Sequence, residues 1–232
     1  MIPLLIICLI KNFRRLRAAA ELYHKRVQKN RALINKSLPF ILAIVCLSAG
    51  LRAQEQTFHY DVLHDGEVKG AVTLYQKTDG QNVHIKIESE VRIRFFIRII
   101  VKSVEEAVFR NGILVYSSLC RHVNGDEKIN VQLQSTGLSY TLNGKTNVSN
   151  PPAYPISNSI LSLYYQEPVN VSRVYSDNFQ QYVEVKKVSY NKYQVIFPNG
   201  HSNYYSYANG ICSYVEVNQP LYNVQFRLNQ SK

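Results

Sequence analysis

Cysteine and histidine are the residue types in this sequence with the clearest potential for chemistry. Cys120 and His122 lie two positions apart, so both side chains would point from one face of a β-strand. A thiol beside an imidazole can act as a nucleophile, but it also needs a group that orients the imidazole and donors for an oxyanion. The sequence identifies neither, and strand alternation alone explains the spacing. We therefore expect no catalytic residue, and no histidine and cysteine side chains converging in a cleft.

The remaining histidines do not form a metal-binding pattern. Beyond residue 53 they are His59, His64, His84 and His201, and no pair has the four-residue spacing that places two ligands on one helical face. The glycine-rich motifs that bind nucleotide phosphates, the Gly-x-Ser-x-Gly of serine hydrolases and the His-Glu-x-x-His of zinc peptidases are absent as well. The sequence therefore predicts neither a metal nor a cofactor.

The adjacent carboxylates Glu105 and Glu106 are the remaining candidates for acid–base chemistry. Neighbouring residues on a strand point to opposite faces, so these two cannot act together as a pair. We interpret them as part of a solvated bend.

Cys120 and Cys212 are the two cysteines beyond residue 53. An exported compartment permits a disulfide between them, and such a bridge would close a loop of about ninety residues. Two free, partly buried thiols explain the sequence equally well, because sequence does not supply the Cα separation that a bridge requires. Thiol redox chemistry is not indicated, since these cysteines form no Cys-x-x-Cys motif.

The net charge of +11 is concentrated at the beginning of the chain. Residues 1–53 contain ten Lys or Arg and one acid, whereas residues 54–232 contain seventeen Lys or Arg and fifteen acids. The body of the protein is therefore nearly neutral and lacks the basic surface that binding to a phosphate backbone requires. We expect no nucleic-acid partner.

Residues 1–53 have the features of a targeting leader. Lys36 precedes an apolar run from Leu38 to Gly50, the pattern of a Sec-type signal peptide. We predict a signal peptide over about residues 35–53, with cleavage between Ala53 and Gln54. The Arg-rich residues before Lys36 do not fit a signal peptide, and the chain contains one Met. We therefore interpret these residues as a misread start, with translation beginning near Leu33 or Ile34 at an alternative initiation codon. A membrane-associated amphipathic segment and an organelle transit peptide are the alternatives.

Beyond residue 53, apolar and polar residues alternate with period two between turn dipeptides such as Asp65-Gly66, Asn111-Gly112 and Asn124-Gly125. Seventeen Tyr and nine Phe suit the half-buried surfaces of a sheet. The sequence predicts one mainly β domain over residues 54–232, built as a curved antiparallel sheet that forms a half-barrel or open barrel. No apolar run in this part is long enough to cross a bilayer as a helix.

The alternation is longest between Val83 and Lys102, where its phase never slips. We interpret it as one long strand that bends or breaks near Ser89, a feature typical of barrels. The apolar side of this strand predicts a face for an apolar ligand. That face consists of Val91, Ile93, Phe95, Ile97, Ile99 and Val101.

One short helix is predicted within residues 157–168. Asn158 can cap it, and Pro168 ends it. Its apolar residues are Ile160, Leu161, Leu163 and Tyr164. A helix of about two turns would lie across the open mouth or the concave face of the sheet.

Strand and turn signatures extend over nearly all of the chain beyond residue 53. They are Tyr60-Asp61-Val62 with Asp65-Gly66 and Gly70, Ala107 to Gly112, Leu163 to Pro168, Pro198-Asn199-Gly200, Tyr204 to Tyr207 with Asn209-Gly210, and Val224 to Leu228. This set resembles an uncharacterised family of exported bacterial proteins with a domain of unknown function. The pattern is also similar to periplasmic half-barrels such as the lipoprotein carriers LolA and LolB. The resemblance implies a curved sheet around a short helix, with an apolar concavity, and it carries over no catalytic residue.

These observations favour a non-enzymatic protein exported to the periplasm or outer envelope of a Gram-negative bacterium. In the first hypothesis its half-barrel holds an apolar or lipid-like small molecule. In the second it is a structural or interaction module with a filled core, and other envelope proteins are its partners. An enzyme without a recognisable motif ranks last, because no constellation of residues supports it.

Overall fold

The computed structural model of the protein describes residues 25–26, 53–94, 98–144, 151–218 and 223–229. Contacts between Cα atoms divide the chain into two units, Met1–Arg52 and Ala53–Lys232. In the first unit the described residues, Lys25 and Arg26, are helical. The predicted signal peptide, apart from Ala53, lies outside the described residues. The second unit carries the sheet.

The described part of the second unit is mainly β, which confirms the predicted fold class. Its strands form one antiparallel sheet, and its one helix is a short 3₁₀ helix, Ile160–Tyr164. The strands are β1 (Gln54–His64), β2 (Glu67–Asp79), β3 (Asn82–Arg94), β4 (Arg98–Arg110), β5 (Ile113–Val123), β6 (Asp126–Ser135), β7 (Tyr140–Gly144), β8 (Arg173–Ser176), β9 (Gln181–Ser189), β10 (Lys192–Ile196), β11 (Ser202–Ala208), β12 (Ile211–Asn218) and β13 (Asn223–Leu228).

The order of strands across the sheet is β7-β6-β5-β4-β3-β2-β1-β13-β12-β11-β10-β9-β8. Every neighbouring pair except β1 and β13 is consecutive in the chain, so the sheet is two meanders joined where the first and last strands pair. The predicted turn at Asn111-Gly112 joins two paired strands. Asn111 and Gly112 have φ angles of 52° and 73°, the left-handed conformation that a tight hairpin turn requires.

The long alternation between Val83 and Lys102 is a hairpin, so the prediction of one strand that bends near Ser89 was wrong. Ser89 lies inside β3, and its hydroxyl is 2.8 Å from that of Ser103 on β4. The chain reverses between Arg94 and Arg98, which face each other in the register. This register pairs odd-numbered residues with odd-numbered residues. Alternation therefore continues through the reversal without a change of phase, and no Gly, Pro, Asn or Asp marks the turn.

The sheet is curved, although it does not close by strand pairing. Ser117 on β5 donates a hydrogen bond to Asp177, which follows β8 at the opposite edge. We call residues 151–168 the crossing segment, because they bind strands of both meanders. The backbone N–H of Leu114 on β5 donates to the oxygen of Ile156 at 2.8 Å, and that of Tyr175 on β8 donates to Asn158 at 2.9 Å.

The 3₁₀ helix lies within the crossing segment, but it is shorter and begins later than predicted. Ser159 is its N-cap residue, and the predicted cap, Asn158, is engaged elsewhere by its hydrogen bond with Tyr175. Ser159 also forms a parallel bridge with Tyr175, which holds these residues extended. The Ser162 hydroxyl donates to the oxygen of Ser159 at 2.6 Å and accepts from its N–H at 3.1 Å. Helical structure therefore starts only at Ile160.

Candidate functional site

The concave side of the sheet is occupied by the protein's own 3₁₀ helix. This helix contacts β3 and β4 in one meander of the sheet and β8 and β12 in the other. Leu161 and Leu163 are 1% and 2% exposed, and Tyr164 is buried beside them. A segment that touches strands so far apart in the sheet order fills the space between them.

Tyrosine rings pack around the helix. Tyr164 makes edge-to-face contacts with Tyr60 on β1 and Tyr205 on β11, with ring centroids 5.8 Å and 5.9 Å apart. Tyr193 and Tyr207 make a similar contact at 5.6 Å. Aromatic pairs in this geometry contribute stability beyond their buried area, on the order of 1 kcal/mol each.

Two tyrosine hydroxyl groups, those of Tyr207 and Tyr140, bind the backbone of the crossing segment. Tyr207 donates to the oxygen of Leu163 at 2.8 Å, and Tyr140 accepts from the N–H of Ile156 at 3.0 Å while donating to Leu114 at 2.9 Å. Irregular backbone inside a protein has polar groups that no strand or helix satisfies. Tyrosine suits this position, because it combines a large apolar ring with one hydroxyl.

The predicted apolar face is described in part. Val91 pairs with Val101 and Ile93 pairs with Ile99 across β3 and β4, so these four residues share one side of the hairpin. Ile93 is buried in the core, whereas Val91, Ile99 and Val101 are half-buried. Phe95 and Ile97 lie outside the described residues.

A buried carboxylate lies where the two sides of the sheet meet. Asp177 is 5% exposed, and its Oδ1 accepts a hydrogen bond from Ser117 Oγ at 2.6 Å. Burial raises the pKa of this carboxyl to about 7, the Ser117 hydrogen bond opposes the rise, and the nearby Glu105 carboxylate adds to it. Asp177 Oδ2 and the buried hydroxyl of Tyr175 have no hydrogen-bond partner among the residues that the structure describes.

Glu105 belongs to this same polar region, and not to a solvated bend as predicted. It lies inside β4, and Arg121 of β5 approaches its Oε1 at 3.4 Å. Arg121 also donates to Asn178 Oδ1 at 3.0 Å, in the turn that contains Asp177. Glu105 and Glu106 do point to opposite faces, as strand alternation requires.

Cys120 and Cys212 are free thiols in the structure, so the bridge that the sequence left open is not formed. Cys212 is fully buried in the core, and burial raises the pKa of its thiol to about 12. Cys120 is half-buried on the other face of the sheet, next to Val104 and Asn130 in the register and opposite in direction to buried Leu119. The two side chains therefore point to different faces.

The outer face of β5 and β6 brings together a cysteine, a histidine and a glutamate. Cys120 Sγ is 3.8 Å from His122 Nδ1, and one ligand atom from each of Cys120, His122 and Glu127 lies within 4.8 Å of the other two. His122 also lines a surface depression with Arg98 and Lys102. This cluster lies on the outer face of the sheet, whereas the expectation concerned a cleft, so that expectation stays a prediction.

The family described as Domain of unknown function (DUF6134) matches residues 60–229. The chain belongs to this family. The resemblance to an uncharacterised family with a domain of unknown function is thereby confirmed. Among the residues that the structure describes, no helix has the length and apolar character needed to span a membrane.

The DUF6134 chain is also similar to a solved structure, the beta-barrel-like protein of domain of unknown function DUF1849 from Brucella abortus. The TM-score is 0.48 at 9% identity, over 78% of this chain and 98% of that chain. A comparison with curated proteins finds no match.

Sequence reasoning missed Asp177 and Glu127 as residues of interest. Asp177 follows β8, a four-residue strand whose pattern is too short to recognise in the sequence. Glu127 was within reach, because the two-residue turn Asn124-Gly125 pairs Val123 with Asp126 and hence His122 with Glu127. Counting outward from that turn would have placed the carboxylate beside the imidazole.

Proposed function

We propose that this DUF6134 protein is an exported, non-enzymatic structural or interaction module of the cell envelope, with a half-barrel filled by its own crossing segment. The observation that carries the proposal is the position of the 3₁₀ helix, whose buried Leu161 and Leu163 contact strands on both sides of the sheet. Tyrosine hydroxyls bind the backbone of this segment at 2.8–3.0 Å. A segment bonded in this way is part of the core and does not leave to admit a ligand.

Export to the periplasm or outer envelope of a Gram-negative bacterium is part of the proposal. It is supported by the signal-peptide pattern that ends at Ala53. The first strand, β1, begins at Gln54, and the family match begins at residue 60. Cleavage between Ala53 and Gln54 would therefore leave the whole sheet intact.

The non-enzymatic part of the proposal is supported by the chemistry of the interior. Among the buried polar side chains that the structure describes, Asp177, Ser117 and Tyr175 are each 5% exposed or less. A catalytic acid or base must come within hydrogen-bond distance of a substrate, and side chains with so little exposed surface are poorly placed for that contact. The nearly neutral body argues against a nucleic-acid partner.

A second candidate function, the holding of an apolar or lipid-like molecule, is favoured by one observation. Val91, Ile99 and Val101 are half-buried on one side of the β3–β4 hairpin, beside the buried Ile93. A ligand would contact the protein at this apolar row, at the end of the half-barrel. The resemblance to the lipoprotein carriers LolA and LolB, which implies an apolar concavity, supports this candidate. The ligand would then occupy only this end, since the 3₁₀ helix fills the middle.

Titration with a fluorescent long-chain fatty acid separates the two candidates. Protein isolated from the envelope of cells that express the full chain should show no saturable binding if the half-barrel is filled. Saturable binding of one probe per chain, weakened by Val101→Asp but not by Val104→Asp, would favour the ligand-holding function instead. Val104 is a matched control, because it lies on the outer face of the same strand and is 40% exposed.

A further inference from the structure

We propose that Cys120, His122 and Glu127 form a surface binding site for a divalent transition-metal ion of the zinc type. The site lies on the outer face of β5 and β6, so it is separate from the packed interior and does not depend on the proposed function. It departs from the prediction of no metal, because strand pairing places Glu127 opposite His122.

The backbone holds the three side chains on one face. Cys120 and His122 lie two positions apart on β5 and pair with Val104 and Lys102 of β4 in an unbroken register, so their side chains share one face. The turn Asn124-Gly125 sets His122 opposite Glu127 on β6. Directly opposite side chains in an antiparallel pair have Cβ atoms about 5 Å apart, so imidazole and carboxylate can share one ligand.

The distances are close to those of a zinc site. A zinc ion bound at about 2.3 Å to sulfur and about 2.0 Å to nitrogen holds those atoms about 3.5 Å apart in a tetrahedron. Cys120 Sγ and His122 Nδ1 are 3.8 Å apart, and all three ligand atoms lie within 4.8 Å of one another. Small side-chain rotations complete the geometry, since Cys120 and His122 are half-buried and Glu127 is exposed.

A neighbouring amide orients the carboxylate. A β-bulge between Arg121 and His122 shifts the register of β5 with β6, so that Cys120 faces Asn130 and not Ile129. Asn130 Nδ2 donates to Glu127 Oε2 at 2.9 Å, which leaves Oε1 of that carboxylate for the metal. Hydrogen bonds of this kind fix the direction of a metal ligand and raise affinity by about tenfold or more.

The ligand set selects the class of metal. One sulfur, one nitrogen and one oxygen suit Zn²⁺, whereas Ca²⁺ and Mg²⁺ prefer oxygen ligands alone. Binding converts the Cys120 thiol to a thiolate and releases one proton to solvent, so affinity rises with pH. Three protein ligands leave a fourth position for water or a small anion, and Arg98 and Lys102 line the depression beside His122.

Zinc titration of the protein tests the site. The protein is isolated from cells that express the full chain, stripped with a chelator, and titrated with Zn²⁺ in competition with a chromogenic chelator. We expect one Zn²⁺ per chain at the site, with affinity weakened at least about tenfold by Cys120→Ser, His122→Gln or Glu127→Gln. His84→Gln is the matched control, because His84 is an exposed histidine on the same sheet, and it should leave the affinity unchanged.

Cobalt substitution gives a readout that an incidental surface site would not produce. Co²⁺ bound by the Cys120 thiolate should show near-ultraviolet sulfur-to-metal charge-transfer absorption that is lost in Cys120→Ser and kept in His84→Gln. Absence of stoichiometric zinc binding would overturn the proposal. So would affinity that Cys120→Ser leaves unchanged, or bound cobalt without thiolate absorption. Thermal unfolding of each variant confirms that the sheet is retained.

Discussion

Ser117 on β5 donates a hydrogen bond of 2.6 Å to Asp177, in the turn after β8 at the other edge of the sheet. The contact shows that the sheet curls until regions near its two edges touch. It also places a carboxyl group in the interior, where ionisation is costly. The fold therefore contains a group whose protonation is linked to stability.

Asp177 should make the protein less stable as pH rises. Burial raises its pKa from 3.8 to about 7, so the folded state binds more protons than the unfolded state between about pH 4 and pH 7. The contribution of Asp177 to stability is fully present below this range, falls through it, and by pH 8 is lower by up to about 4 kcal/mol. Asp177→Asn should remove this loss and be more stable than the unaltered protein at pH 8. Urea unfolding at pH 5 and pH 8 measures both effects.

Asp79→Asn is the control for this experiment. Asp79 is exposed at the end of β2, and its replacement should leave the pH dependence of stability unchanged. If Asp177→Asn keeps the pH dependence of the unaltered protein, Asp177 is not the linked group.

Leu163→Ala should destabilise the protein strongly, because Leu163 is 2% exposed between the two sides of the sheet. Loss of a buried leucine side chain with its residual cavity costs about 2–5 kcal/mol. Leu138→Ala is the matched change, since Leu138 is 88% exposed, and it should cost less than about 0.5 kcal/mol. Denaturant unfolding compares the two, and equal small effects would mean that the 3₁₀ helix is not packed in the core.

The two cysteines should react with thiol reagents at very different rates. Cys120 is half-buried on the outer face, whereas Cys212 is fully buried with a pKa raised to about 12. In the folded protein, a disulfide reagent should label Cys120 and leave Cys212 unreacted until urea is added. Unfolding without reductant should release both thiols. Failure to label either cysteine in urea would show that a disulfide forms between them.

The mature protein should begin at or near Gln54. The signal-peptide pattern places cleavage after Ala53, and β1 begins at Gln54, so cleavage there removes no strand. N-terminal sequencing of protein from the cell envelope measures this directly. An intact N-terminus upstream of Lys36 would contradict the assignment of the leader.

The sheet could be predicted from the sequence because its signals are local. Period-two alternation and pairs such as Asn111-Gly112 determine strands and turns between residues close in the chain. The β3–β4 reversal was missed because its register keeps odd residues opposite odd residues, so the pattern resembles one strand. The late start of the helix also escaped prediction, because Asn158 bonds to Tyr175, a partner that only the curved sheet supplies.

The interior and the outer site depend on contacts that the sequence does not show. Asp177 contacts Ser117, which lies sixty positions earlier in the chain, and no local pattern predicts a buried carboxyl. Glu127 meets His122 through a short hairpin, which turn counting could have found. Nonlocal contacts of the first kind require the curvature of the sheet, which local patterns in the sequence do not specify.

The mass of the protein under native conditions tests the central claim most directly. Protein isolated from the cell envelope is measured by native mass spectrometry and again after unfolding, with solvent extraction of the same sample. A half-barrel filled by Leu161, Leu163 and Tyr164 predicts the mass of the processed polypeptide alone, with no lipid in the extract at one per chain. An added mass that binds one to one, disappears on unfolding and is recovered as a lipid or other long-chain molecule would contradict it.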